Sequence, residues 1–365
     1  MFVPICVLLS TLTVLTSASL NSTAASCTIT KYSAAAILDA QNQCSEITLR
    51  GINVDPGETL DLTHLQKGAK VIFDGTITWQ YEEWRGPLLR TSGTDVEITG
   101  TADHVLDGRG SKWWDGKGGN GGKNKPRFYY PNNMKNSKIT NLNIKNTPVH
   151  AIVIKNCDGL VLENIRIDDS DGDTQGGHNT DGFDISGSNN VEIRSSTVYN
   201  QDDCLAVKSG TNYKFTNNFC SGGHGISIGS VADGVTVENV YMADSQVERS
   251  ANGIRIKTVS GAVGKVSGIT FENISLKDIT NYGIILESDY LNGGPSGQPT
   301  GDCPITDLTI KNITGTVASG GSNVYVIVEN ASDWKCSGID IKGGTKTKDC
   351  QGIPPGSDTI HLRLV

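Results

Sequence analysis

A chain of 365 residues is long enough for a large core, and one all-β or solenoid domain can absorb it whole, so length alone does not demand two domains. Only 19% of the residues are charged, with 43 Gly and 3 Met, a composition that favours strands and turns over long helices. The formal net charge of −8 argues against a nucleic-acid partner, although an acidic protein still binds a polyanion when its cations are focused in one cleft.

The N-terminus reads as a secretory signal over residues 1–18, with cleavage as late as residue 26. Val3 to Leu15 is nearly all apolar or small, and Thr16, Ser17, Ala18 and Ser19 follow. The run is too short for a membrane span, and no later stretch is long and apolar enough to be one. A secreted, extracellular protein is therefore expected, with residues 27–365 as a single domain and no membrane partner. The nine cysteines fit that compartment, because Cys6 leaves with the signal and eight remain. Close spacing favours the disulfides Cys27–Cys44, Cys204–Cys220 and Cys336–Cys350, leaving Cys157 and Cys303 either paired or free. There is no Cys-x-x-Cys and no His-Glu-x-x-His, so zinc is a poor reading. Asn-x-Ser/Thr acceptors stand at Asn21, Asn273, Asn312 and Asn330, and the last three are the candidate glycosylation sites.

From the middle of the chain one word repeats: apolar, any, apolar, any, Asn. It reads Leu142-Asn-Ile144-Lys-Asn146, Leu160-Val-Leu162-Glu-Asn164, Tyr213-Lys-Phe215-Thr-Asn217 and Val235-Thr-Val237-Glu-Asn239. Ile269-Thr-Phe271-Glu-Asn273 and Leu308-Thr-Ile310-Lys-Asn312 follow, and Val191-Glu-Ile193-Arg-Ser195 is a variant. Period-2 alternation makes each word a strand with one buried face. The steps from Ser195 to Asn217 and from Asn217 to Asn239 are both 22 residues, the period of a parallel solenoid of about ten coils with Asn stacked at the turns. A β-sandwich with frequent turns is the plain alternative, but sandwiches do not repeat one word in register.

A second strand follows in each coil: Asp181-Gly-Phe-Asp-Ile185, Asp203-Cys-Leu-Ala-Val207, His224-Gly-Ile-Ser-Ile228, Asn252-Gly-Ile-Arg-Ile256 and Tyr282-Gly-Ile-Ile-Leu286. Asp181, Asp203 and His224 thus share one column, and coils ~4.8 Å apart bring their side chains together. Phe183, Leu205, Ile226 and Ile254 point inward in this register. Asp184, Ala206, Ser227 and Arg255 point outward, as do Ser186, Lys208, Gly229 and Lys257. Carboxylates held a few ångströms apart suit glycoside hydrolysis: one protonated acid for the leaving oxygen, one carboxylate to attack or to activate water. Crowded carboxylates raise at least one pKa by repulsion. Arg255 and Lys257 suit a substrate bearing its own carboxylates. Taken singly, Asp-Asp, Gly-His-Gly and Arg-Ile-Lys are ordinary surface words, and only their shared register sets that reading aside. His64, His104, His150 and His361 have no such company and read as structural. His178 sits beside the site as a candidate supporting residue.

Asn179-Thr180-Asp181, Gln201-Asp202-Asp203, Gly223-His224-Gly225 and Arg255-Ile256-Lys257 resemble the four signature segments of polygalacturonases, glycoside hydrolase family 28. Asp107 to Gly118, Asn146 to His150 and Glu287 to Tyr290 agree, and the similarity runs from about Cys27 to about Gly352. The resemblance is to the secreted endo-acting members from fungi and plant-feeding insects. It implies a right-handed parallel β-helix and inverting hydrolysis of α-1,4-linked galacturonan in pectin by a monomer, without a metal or organic cofactor. It implies Asp202 as general acid, Asp181 and Asp203 as the water-activating pair, and His224 as support for the acid or the leaving sugar. Arg255, Lys257, Tyr290 and Asn179 are the implied substrate-binding residues, although Glu287-Ser288 departs from the Gln-rich context common beside that Tyr. Plant polygalacturonase-inhibiting proteins are candidate partners.

Overall fold

The computed structural model describes Met1, Phe2 and residues 26–357. All but the first two residues of the expected signal peptide, together with Asn21 and His361, lie outside the described residues. The strands form one continuous system of parallel pairings, with the successive rungs of each face contributed by successive coils. One unbroken line of rungs starts at Ser26–Ile29, Glu46–Arg50, Lys70–Asp74 and Glu97–Gly100. It continues through Lys138–Thr140, Asp158–Glu163, Ser188–Arg194 and Gly210–Thr216. Thr236–Glu248, Lys265–Ile279, Ile305–Val317 and Lys335–Ser337 complete it. The architecture is the expected parallel β-helix.

The alternation seen in the sequence becomes stacked columns. Ile47, Val71, Ile98, Ile139, Leu162, Ile193, Phe215, Met242, Phe271 and Ile310 follow one another in register, each at most 1% exposed. Burying each such side chain contributes roughly 1.5–3 kcal/mol, so the column is a main source of stability. A ten-residue helix, Ala34–Gln43, closes the N-terminal end, where an uncapped solenoid would expose its core. The Ser33 hydroxyl caps it by accepting the Ala36 N–H, and Gln41 ties it down through the Asp61 carbonyl and the His64 N–H.

Two details differ from the sequence reading. The step from Asn217 to Asn239 is not a coil. Thr216 pairs with Ala243, so Asp244 follows Asn217 in its column, whereas Val240 pairs with Tyr213 and sets Asn239 over Asn212. All four adopt positive φ, between 50° and 61°, which Asn and Asp tolerate at tight corners. Each coil has several such corners, and the same word marks more than one of them. Asn ladders do form, as in Asn164 to Asn141, Asn273 to Asp244 and Asn312 to Asn273.

Of the expected disulfides, Cys27–Cys44 and Cys204–Cys220 are formed. The Cys336–Cys350 bridge is not. Cys336 sits in a strand paired with Ile305–Val317, while the Cys350 Sγ accepts the Val326 N–H on another face. Nearness in sequence did not bring these two to one place. Cys157 and Cys303 are buried thiols, and burial pushes both up to about 11.

Candidate active site

The second strand of each coil builds one wall of a cleft of about 410 Å³. Phe183 pairs with Leu205, Leu205 with Ile226, and Ile226 with Ile254. Two residues earlier, this register aligns Asp181, Asp203, His224 and Asn252 on the rim, as the repeat required. Buried polar residues hold the turns before these strands. The Asn200 side-chain NH2 donates to the carbonyls of Thr180, Asp202 and Asp203. The Thr180 hydroxyl donates to the Gln201 side chain and accepts the Gln201 N–H. Gly223 lets the next coil approach, since a Cβ there would lie 2.0 Å from the Asp202 carbonyl.

Asp202 stands one place out of the column and is almost enclosed by donors. Its Oδ1 lies 2.9 Å from His224 Nδ1 and accepts the Asp203 N–H at 2.7 Å, and its Oδ2 accepts from Asn179 Nδ2 at 2.8 Å. Burial works to raise its pKa, but the His224 hydrogen bond and charge, followed by Lys257 and the Asp203 N–H, outweigh burial and hold it below the usual range. His224 is correspondingly raised: burial opposes its charge, and Asp202 and Asp203 overcome that. Asp203 is bracketed by the Lys257 ammonium at 2.6 Å and the Ser227 hydroxyl at 2.8 Å. Asp181 has no such support. Burial first, then repulsion from Asp202 and Asp184, raises its carboxyl well above the normal value.

Further along the same wall, on the strand paired with Ile226–Val231, the two expected cations emerge together. The Arg255 Nε donates to Glu287 Oε1 at 2.7 Å, and Glu287 is fully buried. Arg255 and Lys257 both lie over the Tyr290 ring, 5.1 and 5.3 Å from its centre. The larger step before Asn312 is a loop whose Gly293, Gly294 and Pro295 line the cleft. Asp289 anchors that loop by accepting from Ser296 and the Gly297 N–H.

All eight expected catalytic and substrate-binding residues line this cleft, as does His178. Asn179 is placed to serve Asp202, and its Oδ1 accepts from the Gly119 N–H and from Asn120. His150 is a correction. Read as structural, it stands on the cleft wall, 3.5 Å from Asp181 Oδ1 and 3.2 Å from Asp184 Oδ2. The signal was present: His150-Ala-Ile-Val-Ile154 has the same register as Asp181-Gly-Phe-Asp-Ile185, and Ile152 pairs with Phe183. Ala in place of Gly hid it. Lys208, already placed outward, bonds Asp184 at 2.7 Å. One carboxylate of each of the two His-Asp clusters has a lysine as counter-charge, Lys208 for Asp184 and Lys257 for Asp203.

The family model described as glycosyl hydrolases family 28 matches residues 44–359. The chain belongs to that family. Endopolygalacturonase A of Aspergillus niger is 52% identical over 335 residues, covering 91% of this chain and 90% of its own length. The polygalacturonase of Penicillium griseoroseum is 51% identical over 349 residues, covering 93% of this chain and 92% of its own. Among solved structures, endopolygalacturonase I from Stereum purpureum, complexed with two galacturonates, has a TM-score of 0.80 at 38% identity. That match covers 87% of this chain and 95% of the other. This glycoside hydrolase thus carries its carboxylates and cations on a scaffold shared with endopolygalacturonases. No helix among the described residues is long and apolar enough to cross a membrane.

Proposed function

We propose that the protein is a secreted endo-polygalacturonase that hydrolyses α-1,4-galacturonosidic bonds of polygalacturonate and pectin with inversion. The observation that carries this reading is the meeting, in one cleft, of three buried carboxylates with two buried cations stacked on a tyrosine. Carboxylates alone suit many glycosidic bonds. Arg255 and Lys257 select a sugar that brings its own negative charge.

In this reading Asp202 is the general acid, placed against the leaving oxygen. Its proton is the one it shares with His224 across 2.9 Å. A substrate carboxylate seated on Arg255 and Lys257 cancels part of the positive charge that lowers Asp202, and so favours its protonated form. Asp181 and Asp203 hold and activate the attacking water, and the raised Asp181 is the stronger base once ionised. Residues 27–365 act as one catalytic domain behind a signal peptide ending near residue 18, and the product works as a monomer on homogalacturonan. The acceptors Asn273, Asn312 and Asn330 are exposed, which suits glycosylation during secretion. Plant polygalacturonase-inhibiting proteins are the candidate protein partners.

The test is digestion of polygalacturonate beside methylated pectin, with products sized at early times. A spread of oligomers with new reducing ends is expected. Monomer alone at early times would sink endo action. Unsaturated products absorbing in the ultraviolet would replace hydrolysis with elimination.

A further inference from the structure

His150 poses a proton-counting problem that the reading above leaves unsolved. Its ring lies between two carboxylates, Nε2 3.5 Å from Asp181 Oδ1 and Nδ1 3.2 Å from Asp184 Oδ2. Both acids are nearly buried, and Asp181 Oδ1 and His150 Nδ1 have no hydrogen-bond partner among the described residues, so the two approaches are close charge contacts that fall short of bonding geometry. The ring cannot slide away, because the Ala151 N–H donates to the Asp181 carbonyl and Ile152 pairs with Phe183.

A neutral imidazole has one N–H and one lone pair, so it can donate to only one of two carboxylates. The other nitrogen needs a protonated carboxyl opposite it, or the ring must become an imidazolium. The groups facing the ring decide between these: Asp181 and Asp184 on the neighbouring coil, Lys208, Asp202 and Arg127. Lys208 bonds Asp184 Oδ2 at 2.7 Å, so the Asp184 side of the ring already has a cation paired with its carboxylate and the Asp181 side has none in bonding contact. The ring N–H therefore belongs on Nδ1, facing Asp184, and the Nε2 lone pair faces Asp181. Burial first, and then Lys208 and Arg127, hold the ring neutral against the pull of Asp184 and Asp202.

We propose that His150 is a positioning residue for Asp181, whose Nε2 lone pair holds the Asp181 carboxyl and receives the proton that Asp181 takes from the attacking water. The inference rests on Asp181 being a water-activating group. As the water oxygen bonds to the anomeric carbon, its O–H bond breaks and the proton passes to Asp181 and on to Nε2. The glycosidic C–O bond breaks with it, and the leaving oxygen takes the proton held by Asp202. The His150 imidazolium then returns its proton to solvent through the cleft, and Asp202 regains one, so the net change is addition of water.

The experiment is the pH–rate profile of polygalacturonate hydrolysis by His150→Gln. A Gln amide can donate to Asp181 but cannot accept its proton, so it favours the charged form where the Nε2 lone pair favours the neutral one. The acidic limb of the kcat profile is expected to move to lower pH by about half a unit or more. Meanwhile kcat falls about tenfold, less than the roughly 10²–10⁴ of a group that meets the reacting atoms directly because Asp181 stays in place, and KM stays within about twofold. A profile that does not move, at any kcat, overturns the proposal. In the unmodified protein, imidazole ¹⁵N spectra should show Nδ1 protonated and Nε2 unprotonated, with the signal assigned by its loss in His150→Gln, or in His150→Asn where the first variant does not fold. A protonated Nε2 also overturns it. Asp181→Asn separates the two levels of the argument. If that variant stays active, the role of Asp181 falls and His150 with it. If it is inactive while the His150→Gln profile is unmoved, only the His150 proposal falls.

Discussion

Replacing Asp202 by Asn tests the assignment of the acid most directly, and the structure sets its size. The carboxylate accepts three hydrogen bonds at 2.7–2.9 Å, from His224, the Asp203 N–H and Asn179. An amide oxygen still accepts two of them, but the bond to Asn179 becomes NH2 against NH2 and the charge assistance of His224 is lost. Charged hydrogen bonds contribute about 1.5–3 kcal/mol and neutral ones about 1. Folding should therefore weaken by roughly 1–3 kcal/mol, tolerable for a core of this size. Loss of a general acid costs about 10²–10⁴ in rate, or ~2.7–5.5 kcal/mol of barrier. The assay is reducing-end release from polygalacturonate, read beside a thermal melt and secretion yield. Rate should fall by at least about a hundredfold while the melt stays cooperative. A variant within tenfold of wild type would refute the assignment. If Asp181→Asn were then the inactive one, the proton resident on the raised Asp181 would be the catalytic proton and the roles would exchange.

Other expectations follow from the same geometry. Lys257→Met removes the counter-charge 2.6 Å from buried Asp203, so stability should drop by about 3–5 kcal/mol on a thermal or denaturant melt. A loss below about 1 kcal/mol would mean that the pair is not buried as described. Gly223→Ala drives a Cβ to within 2.0 Å of the Asp202 carbonyl, and backbone must move. Activity should fall more than about tenfold with about 1–3 kcal/mol of destabilisation, and wild-type kcat/KM would exclude that close approach. The His224 pKa is raised in the folded protein, so its pairing with Asp202 stabilises below its unfolded pKa and is lost as pH rises through the folded value. The difference in Tm between wild type and His224→Gln should accordingly shrink from about pH 5 to about pH 8. A difference that grows with pH would reverse the sign of the coupling.

Sequence by itself determined the solenoid, the inward columns and the sharing of one column by Asp181, Asp203 and His224. These follow from a side-chain period of two, which any strand in the stack must obey, and from the steps of 22 and 21 residues that carry Asp181 to Asp203 and Asp203 to His224. It misread the step from Asn217 to Asn239, because left-handed corners take Asn wherever they occur and one word cannot say which corner it marks. It missed the Cys336–Cys350 separation for a like reason: closeness along the chain is not closeness across coils. What only the tertiary structure decided is who partners whom. Asp203 lies against Lys257, 54 residues away, Arg255 is held by Glu287, and Asp202 is enclosed by Asn179 and His224 from two other coils. Those partners fix which carboxyl is lowered and which is raised, because a pKa answers to burial and to charges a few ångströms off, whatever their distance in sequence. His150 belongs to both accounts. Its register was written in the chain, but only packing against Asp181, Asp184 and Lys208 turned a structural histidine into part of the cleft.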